Sequence, residues 1–328
     1  MTAPLRIGIL GAGAIGGWFA ARLAAQGHRL ALVARGSHLA ALRASGLRLD
    51  DTDGAFHATV AASDDPAALG VQDILFITLK SIAIADLVER ATPMIGPATV
   101  VVSAMNGVPW WFLDDVEGAL RGAVLDTVDP DGRIASAIAP RQVVGCVVHG
   151  SCSVPEPGRV HHRSGNRIIL GEPAGPVSPR VTQLCETLAA AGFRTEAAPR
   201  IRDDIWFKLL GNLNFNPISA LLGSTTDRII DSPDTHALCV AMMHEALGVG
   251  ERLGISLPID PAVRIAETRK LGAIKSSMLQ DAERGRALEI DAILGAPVEI
   301  ATRLGIEVPR MSTVLALARL KSALLAGG

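Results

Sequence analysis

Short apolar runs alternate with helical stretches through the first third of the chain. The runs LRIGIL, RLALVA, DILFITLK and ATVVVSAM are almost continuously apolar, and stretches such as AIGGWFAARLAAQG separate them. Continuous apolar strands between helices are typical of a parallel sheet that helices cover on both faces. The pattern therefore predicts an α/β fold whose N-terminal part is a Rossmann-type doubly wound sheet.

The pattern changes along the chain and predicts two domains. The segment LRLDDTDGAFHATV indicates a β-hairpin that turns at Asp53-Gly54, and residues 143–172 contain two more strand-like runs. After about residue 176 helical periodicity dominates, and RTEAAP is the main remaining strand signal. We predict a nucleotide-binding domain over residues 1–175 and a mostly α-helical domain over residues 176–328, for substrate binding and dimerisation.

Composition narrows the class of partner. Apolar residues make up 49% of the 328 residues and the net charge is −2, without a long run of like charges. These values argue against nucleic acid or an anionic membrane surface as partner, and no apolar stretch reaches the ~18 residues of a membrane span. The four cysteines show no C-x-x-C pair and no histidine at metal-ligand spacing. We expect free thiols, no metal site and a cytoplasmic location.

A glycine-rich turn follows the first strand. GILGAGAIGG places Gly11, Gly13 and Gly16 at the opening of a helix. Gly11 suits the tight turn, Gly13 lets a pyrophosphate approach the backbone, and Gly16 allows close packing of helix on strand. The free N–H groups of the helix start then face the phosphates. The predicted dinucleotide-binding residues are Gly11, Ala12, Gly13, Ala14, Ile15 and Gly16.

The end of the second strand indicates which dinucleotide binds. NAD-selective sites usually place an acidic residue there, but LALVARGSH places Arg35. A guanidinium favours the 2′-phosphate of NADPH through charge-assisted hydrogen bonds. Lys80, at the end of ITLK, also falls at a carboxyl strand edge. NADP(H) is therefore the predicted cofactor; the alternative is that Arg35 and Lys80 are ordinary solvated residues.

Asn106 in SAMNGV follows another apolar strand. An Asn-Gly pair is first of all a turn signal. Its place at the carboxyl edge of the sheet makes it a candidate contact for the nicotinamide ribose or the substrate.

One predicted helix carries a polar stripe in an apolar setting. In DDIWFKLLGNLNFNPISALLG, the residues Lys208, Asn212 and Asn216 are four apart and share a helix face. If a nicotinamide delivers hydride to a ketone, a lysine suits the task of proton donor and the amides can hold the substrate. The alternative is a polar seam between helices, with Lys208 reaching out to water.

A second cluster reads KSSMLQDAERGRALEIDAILG. Ser277 could bind a substrate carboxylate, and Glu289, on a probable helix, could pair with Lys208 or hold a hydroxyl. From spacing alone we prefer the plainer interpretation, in which Ser277 is an N-cap and Glu289 is a surface acid.

The chain resembles the ketopantoate reductase family (2-dehydropantoate 2-reductases) from about Arg6 to about Pro309. The glycine-rich opening, ITLKS, NGV, WFKLLGNLNFNPISAL and SSMLQD…EID occur in the family's order. The resemblance implies reduction of a ketone by NADPH in the cleft between a Rossmann domain and a helical domain. Its leading form is reduction of 2-dehydropantoate to pantoate in pantothenate and coenzyme A biosynthesis.

The resemblance also implies a role for each candidate residue. Lys208 is the implied general acid, and Glu289 contacts the reacting centre or the cofactor. The implied substrate-binding residues are Asn106, Asn212, Asn216 and Ser277. The implied cofactor-binding residues are Gly11–Gly16, Arg35, Lys80, Asn106 and Glu289.

Two departures from the family pattern leave the substrate open. Thr226 stands where some members carry a substrate-binding asparagine, and the segment 126–141 is longer than the family needs. The alternatives are reduction of another 2-keto acid, as in a D-2-hydroxyacid dehydrogenase, or a non-catalytic NADPH-binding sensor. Apolar stretches of the helical domain would allow a homodimer.

Overall fold

The computed structural model describes residues 3–80 and 84–326, so that Ser81 of the ITLKS motif lies outside the described residues. The chain divides into two compact units. Unit 1 comprises Met1–Met105 and Gly132–Ile201, and unit 2 comprises Asn106–Asp131 and Arg202–Gly328. The chain therefore crosses between the units after Met105, after Asp131 and after Ile201, whereas the predicted boundary is after residue 175.

Unit 1 is built on a mixed sheet of ten described strands in the order β4-β3-β9-β8-β7-β6-β1-β2-β5, with β10 pairing with β9. The strands are β1 Arg6–Leu10, β2 Arg29–Val33, β3 Leu47–Asp51, β4 Gly54–Ala58, β5 Ala61–Ser63, β6 Gln72–Ile77, β7 Ile95–Ser103, β8 Val143–Glu156, β9 Arg159–Gly171 and β10 Arg194–Ala197. The pairs β3–β4 and β8–β9 are antiparallel, and the other pairs are parallel. The predicted α/β class with an N-terminal parallel sheet is confirmed.

The helices of unit 1 cover this sheet. They are α1 Ala14–Ala25, α2 Gly36–Ser45, α3 Ile84–Ala91, α4 Arg133–Ala137 and α5 Pro179–Ala190, with short 3-10 turns at Pro66–Leu69, Thr92–Met94 and Pro140–Gln142. A further 3-10 turn, Pro130–Gly132, contains the point where the chain returns from unit 2 to unit 1. Helix α1 is buried over most of its length, and its Trp18 and Phe19 pack with Phe193 and Phe76. The segment after residue 175 belongs to unit 1 because β10 extends the sheet by pairing with β9.

The predicted hairpin is present as β3 and β4, which pair from Leu47↔Ala58 to Asp51↔Gly54. Its two-residue turn is Thr52-Asp53, one residue earlier than predicted. Gly54 begins β4 with φ 135°, a backbone conformation that side chains disfavour.

An ion-pair network is buried beneath this hairpin. Asp51 accepts from Arg22 Nε at 2.7 Å and contacts His162 Nδ1 at 2.7 Å, and Arg22 Nη2 also donates to Asp53 at 2.8 Å. The side chains of Arg22, Asp51 and His162 are at most 3% exposed. Burial raises the pKa of Asp51, but the hydrogen bonds from Arg22 and His162 outweigh it and hold the pKa below 3.8. The network joins α1, β3 and β9.

Unit 2 is helical and is organised around one long helix, α6 Ile201–Leu222. Its other helices are α7 Thr226–Asp231, α8 Pro233–Arg252, α9 Pro261–Arg269, α10 Ser277–Glu283, α11 Ala296–Arg303, α12 Pro309–Ala326 and a π-helix, Asp291–Gly295. Trp206 of α6 is fully buried and its Nε1 donates to the Ala246 carbonyl of α8 at 3.1 Å. A side chain at Gly250 would meet this indole at 2.6 Å, which is why the two helices can approach so closely. No helix in the described residues is long and apolar enough to cross a membrane.

Candidate functional site

The glycine-rich turn has the geometry that a dinucleotide requires. Gly11 has φ 98°, and a Cβ on Gly16 would lie 2.2 Å from the Gly11 carbonyl oxygen. Gly13 differs because a Cβ there would meet no atom within 4 Å. It is the exposed N-cap residue of α1, where backbone N–H groups lack helical partners. The turn therefore leaves open space for a phosphate at Gly13, and helix packing demands the glycine at Gly16.

Thr78 holds the glycine-rich turn against the neighbouring strand. Its Oγ1 donates to the Gly11 carbonyl at 2.7 Å, and its backbone N–H donates to the Leu10 carbonyl at 2.9 Å. Thr78 directly follows β6, which is parallel to β1. Thr78 was not among the predicted site residues, although its place directly after an apolar strand is a signal in the sequence that could have indicated this role.

The predicted cofactor residues of unit 1 gather at one edge of its sheet. Gly11, Arg35 and Lys80 follow β1, β2 and β6, which are neighbouring parallel strands in the order β6-β1-β2. Arg35 is exposed and is the N-cap residue of α2, and Lys80 is exposed three residues after β6 ends. Their assignment to a 2′-phosphate stays a prediction.

In unit 2 the structure brings Asn106 and Lys208 together. Lys208 Nζ donates to Asn106 Oδ1 at 2.8 Å, although the residues are 102 positions apart. Both side chains are half-buried. An ammonium bound in this way has a defined position, because the Asn106 amide fixes the direction of one of its N–H donors.

The loop that carries Asn106 is anchored on the π-helix. Gly107 has φ 85°, and a Cβ there would lie 2.3 Å from the Ala292 carbonyl oxygen. The next residue, Val108, donates its N–H to the same carbonyl at 2.8 Å. The Asn-Gly turn signal was therefore correct as well, since this turn sets the position of the Asn106 side chain. π-Helical turns are often found at functional sites.

The other members of the polar stripe follow Lys208 along α6. Asn212 is half-buried and Asn216 is 7% exposed, so this face of the helix is mostly removed from solvent. Asn214 is different, because its Nδ2 donates to the Leu210 carbonyl at 2.9 Å within the same helix. Pro217 lies inside α6 and removes one backbone donor.

The structure changes the interpretation of the second cluster. The N-cap of α10 is Ser276, whose Oγ accepts from the Leu279 N–H at 3.0 Å, so the capping role expected of Ser277 is wrong. Ser277 is the exposed first residue of the helix. Glu289 is 8% exposed and lies before the π-helix, not on a helix, so the surface-acid interpretation is wrong as well.

Both departures from the family pattern, Thr226 and the segment 126–141, form hydrogen bonds in the structure. Thr226 is buried, its N–H donates to the Ile274 carbonyl at 3.0 Å and its Oγ1 to the Gly272 carbonyl at 3.2 Å. The segment 126–141 is divided between the units. In unit 2 the N–H groups of Asp126 and Thr127 donate to the Glu299 carboxylate at 3.0 and 2.9 Å.

Arg264 of α9 is a residue that sequence analysis did not single out. Its guanidinium carbon lies 4.8 Å from the ring centroid of Phe207, the residue before Lys208. Nothing in PAVRIAETRK distinguishes this arginine from the solvated ones around it. Its half-buried position over Phe207 of α6 distinguishes it.

Comparison with known proteins agrees with this geometry. The family model Ketopantoate reductase PanE/ApbA matches residues 7–175, and Ketopantoate reductase PanE/ApbA C terminal matches residues 200–322. A 2-dehydropantoate 2-reductase of Mesorhizobium japonicum is 44% identical over 96% of this chain and 97% of its own. A crystal structure of a candidate ketopantoate reductase from Ralstonia solanacearum MolK2 superposes with a TM-score of 0.94 at 45% identity, covering 99% of both chains. A D-mandelate dehydrogenase with NADH and anilino(oxo)acetate shares the fold, with a TM-score of 0.83 at 19% identity over 98% of this chain and 99% of its own.

Proposed function

Because the chain belongs to the ketopantoate reductase family and is an oxidoreductase of the 2-dehydropantoate 2-reductase type, we propose that it reduces 2-dehydropantoate to pantoate with NADPH. This reaction is a step toward pantothenate and coenzyme A. The observation that carries the proposal is the 2.8 Å hydrogen bond from Lys208 Nζ to Asn106 Oδ1. It holds a lysine ammonium in a defined position on a mostly buried helix face.

Different residues of the chain have different roles in the proposed reaction. When bound, NADPH supplies the hydride that forms the new C–H bond at the keto carbon. Lys208 gives its proton to the carbonyl oxygen, which leaves a neutral amine and an alcohol. Asn106 orients the ammonium, and the amides of Asn212 and Asn216 donate hydrogen bonds to the substrate without adding charge.

Two features of unit 1 support a phosphate-bearing dinucleotide, and NADPH in particular. The open space at Gly13 beside the start of α1 fits the pyrophosphate. Arg35 stands after β2, at the place where an acidic residue would select NADH. Arg35 and Lys80 are therefore proposed to bind the 2′-phosphate.

A panel of 2-keto acids, followed by NADPH oxidation, tests the substrate. We expect the highest kcat/KM for 2-dehydropantoate. Comparable turnover of bulky aromatic keto acids with none of 2-dehydropantoate would instead favour a D-2-hydroxyacid dehydrogenase. That second function is favoured by one observation, the use of Thr226 to bind the Gly272 carbonyl at a position where some relatives bind substrate.

The variant Lys208→Ala tests the proton donor. Loss of a general acid typically lowers the rate by about 10²–10⁴-fold, so we expect kcat to fall by this factor with an unchanged melting temperature. Lys270→Ala is the matched control, because Lys270 is an exposed lysine of unit 2 that pairs with Glu267. Undiminished keto-acid reduction in a folded Lys208→Ala variant would remove Lys208 from the mechanism. An NADPH-binding sensor would show no reduction in any variant.

A homodimer and a cytoplasmic location are parts of the same proposal. Leu317, Leu320 and Leu324 of α12 are more than half exposed and lie on one side of the helix, where a second copy could cover them. Sedimentation of the purified chain measures this directly. The four cysteines are free thiols, as a reducing compartment would keep them.

A further inference from the structure

Arg264 carries a half-buried guanidinium. Among the described residues it forms no ion pair, and its Nε is buried without a hydrogen-bond partner. Its Nη1 donates to Thr268 Oγ1 at 3.3 Å, a long hydrogen bond to a neutral group. Burial lowers the pKa of this guanidinium, and the charge of Glu267 opposes that shift. A charge that is partly removed from water is costly unless something compensates for it, so an anion bound beside this guanidinium would be stabilised.

The guanidinium lies beside Gly211 of the Lys208 helix. A Cβ built on Gly211 would meet Arg264 Nη2 at 3.5 Å, and among the described atoms outside α6 no other would lie within 4 Å of it. Gly211 comes one turn after Lys208 and directly before Asn212. Side-chain positions three apart on a helix are about 5–6 Å from each other, so Arg264 Nη2 contacts the part of α6 that adjoins the proton donor.

The ring of Phe207 sets the direction of the guanidinium. The guanidinium carbon lies over the ring, 4.8 Å from its centroid, and the N–H donors of a guanidinium point outward in the plane of the group. A planar fork of donors matches the two oxygens of a carboxylate. A 2-keto acid carries its carboxylate on the carbon next to the carbonyl. A guanidinium and a lysine ammonium on adjoining faces of α6 therefore match the two ends of that group.

We propose that Arg264 binds the carboxylate of the keto acid and thereby selects acids over neutral ketones. The proposal rests on the proposed function, and it adds a charged partner to the neutral hydroxyl of Ser277. Arg264 sets substrate affinity, and Lys208 supplies the proton. The two residues therefore affect different kinetic constants.

The variants Arg264→Gln and Arg264→Lys test this division. For Arg264→Gln we expect the KM of the keto acid to rise about 10- to 100-fold, as for loss of a hydrogen bond between charged groups, with little change in kcat. The KM of NADPH should stay within twofold of the wild-type value. Arg264→Lys keeps the charge and loses the fork, so an intermediate KM is expected. Arg269→Gln is the control on the same helix, because Arg269 pairs with the exposed Asp231.

A second measurement separates this proposal from the assignment of the reaction. Calorimetric titration with oxamate, in the presence of NADP, reports carboxylate binding without turnover. Oxamate should bind the wild type and the Arg269→Gln variant equally, and the Arg264→Gln variant at least about tenfold more weakly. Equal oxamate affinity in all three proteins would overturn the proposal, whatever keto acid is reduced. If Arg264→Gln does not fold, equal turnover by the wild type of a keto acid and of its methyl ester would overturn it.

Discussion

Gly13 and Gly16 lie three residues apart in one turn, and the structure predicts opposite consequences for the same added methyl group. In Gly16→Ala the Cβ would lie 2.2 Å from the Gly11 carbonyl oxygen, 2.5 Å from Thr78 Oγ1 and 2.7 Å from Ile9 Cγ2. The nearest of these atoms is backbone, which a side-chain rotation cannot move away. In Gly13→Ala the Cβ would meet no atom within 4 Å, and φ is −76°, which any residue adopts.

The magnitudes follow from these contacts. Overpacking costs about 1–3 kcal/mol, and we expect Gly16→Ala to reach about 3 kcal/mol because backbone must shift. At roughly 2–4 °C per kcal/mol, the melting temperature should fall by about 6–12 °C. Gly13→Ala should cost less than about 1 kcal/mol, as for an N-cap change. Its methyl group occupies the proposed phosphate position, so the KM of NADPH should rise about 10- to 100-fold.

Thermal unfolding without cofactor and steady-state kinetics with varied NADPH measure both effects on the same two proteins. The expected result is a stable Gly13→Ala enzyme with weak cofactor binding, and a Gly16→Ala protein of reduced stability. An unchanged KM of NADPH in Gly13→Ala would refute the assignment of this turn to the cofactor. An unchanged melting temperature in Gly16→Ala would refute the packing argument.

Three further predictions concern charge and hydrogen bonding. Asp51→Asn leaves the guanidinium of Arg22, which is 3% exposed, without its buried carboxylate. The free energy of unfolding in urea should therefore fall by about 3–5 kcal/mol, and a loss below about 1 kcal/mol would contradict this. Because the pKa of Asp51 is below 3.8 in the folded chain, its contribution to stability is fully present above the unfolded value and lost as the pH falls through the folded value. The difference in unfolding free energy between wild type and Asp51→Asn should therefore be constant from neutral pH to about pH 5 and shrink only in stronger acid. Arg35→Asp should raise the KM of NADPH about 10- to 100-fold and change that of NADH little; equal effects on both cofactors would argue against a 2′-phosphate contact. Thr226→Val should cost about 0.5–1.5 kcal/mol by loss of its bond to the Gly272 carbonyl, with an unchanged KM of the keto acid; a raised KM would place Thr226 at the substrate.

The features that sequence analysis predicted well are local ones. The parallel strands, the hairpin of β3 and β4 and the glycine-rich turn each depend on residues close together in the chain, so periodicity and turn chemistry identify them. Long-range pairing was less accessible. The joining of β10 to β9 carries the chain after residue 175 into unit 1, and no local pattern shows which strand a short segment such as RTEA will pair with.

Local sequence patterns also failed to predict which polar side chains of unit 2 are buried. From spacing alone, Glu289 and Ser277 were interpreted as a surface acid and an N-cap, because acidic residues and serines are most often found in those places, and only the family resemblance assigned them to the site. Glu289 is in fact 8% exposed, and Ser276 takes the capping role from Ser277. A one-residue shift of a helix start decides which hydroxyl caps and which faces outward.

The amino-acid sequence alone determined the class of fold, the dinucleotide turn and the residue types of the candidate site, because backbone preference and apolar period act over a few residues. Only the tertiary structure decided that Lys208 meets Asn106 across 102 positions, and that half-buried Arg264 lies over Phe207 with no ion-pair partner in the described part of the chain. These relations depend on how helices and loops pack within unit 2. Packing depends on many residues that are distant in the chain, so no single segment determines it.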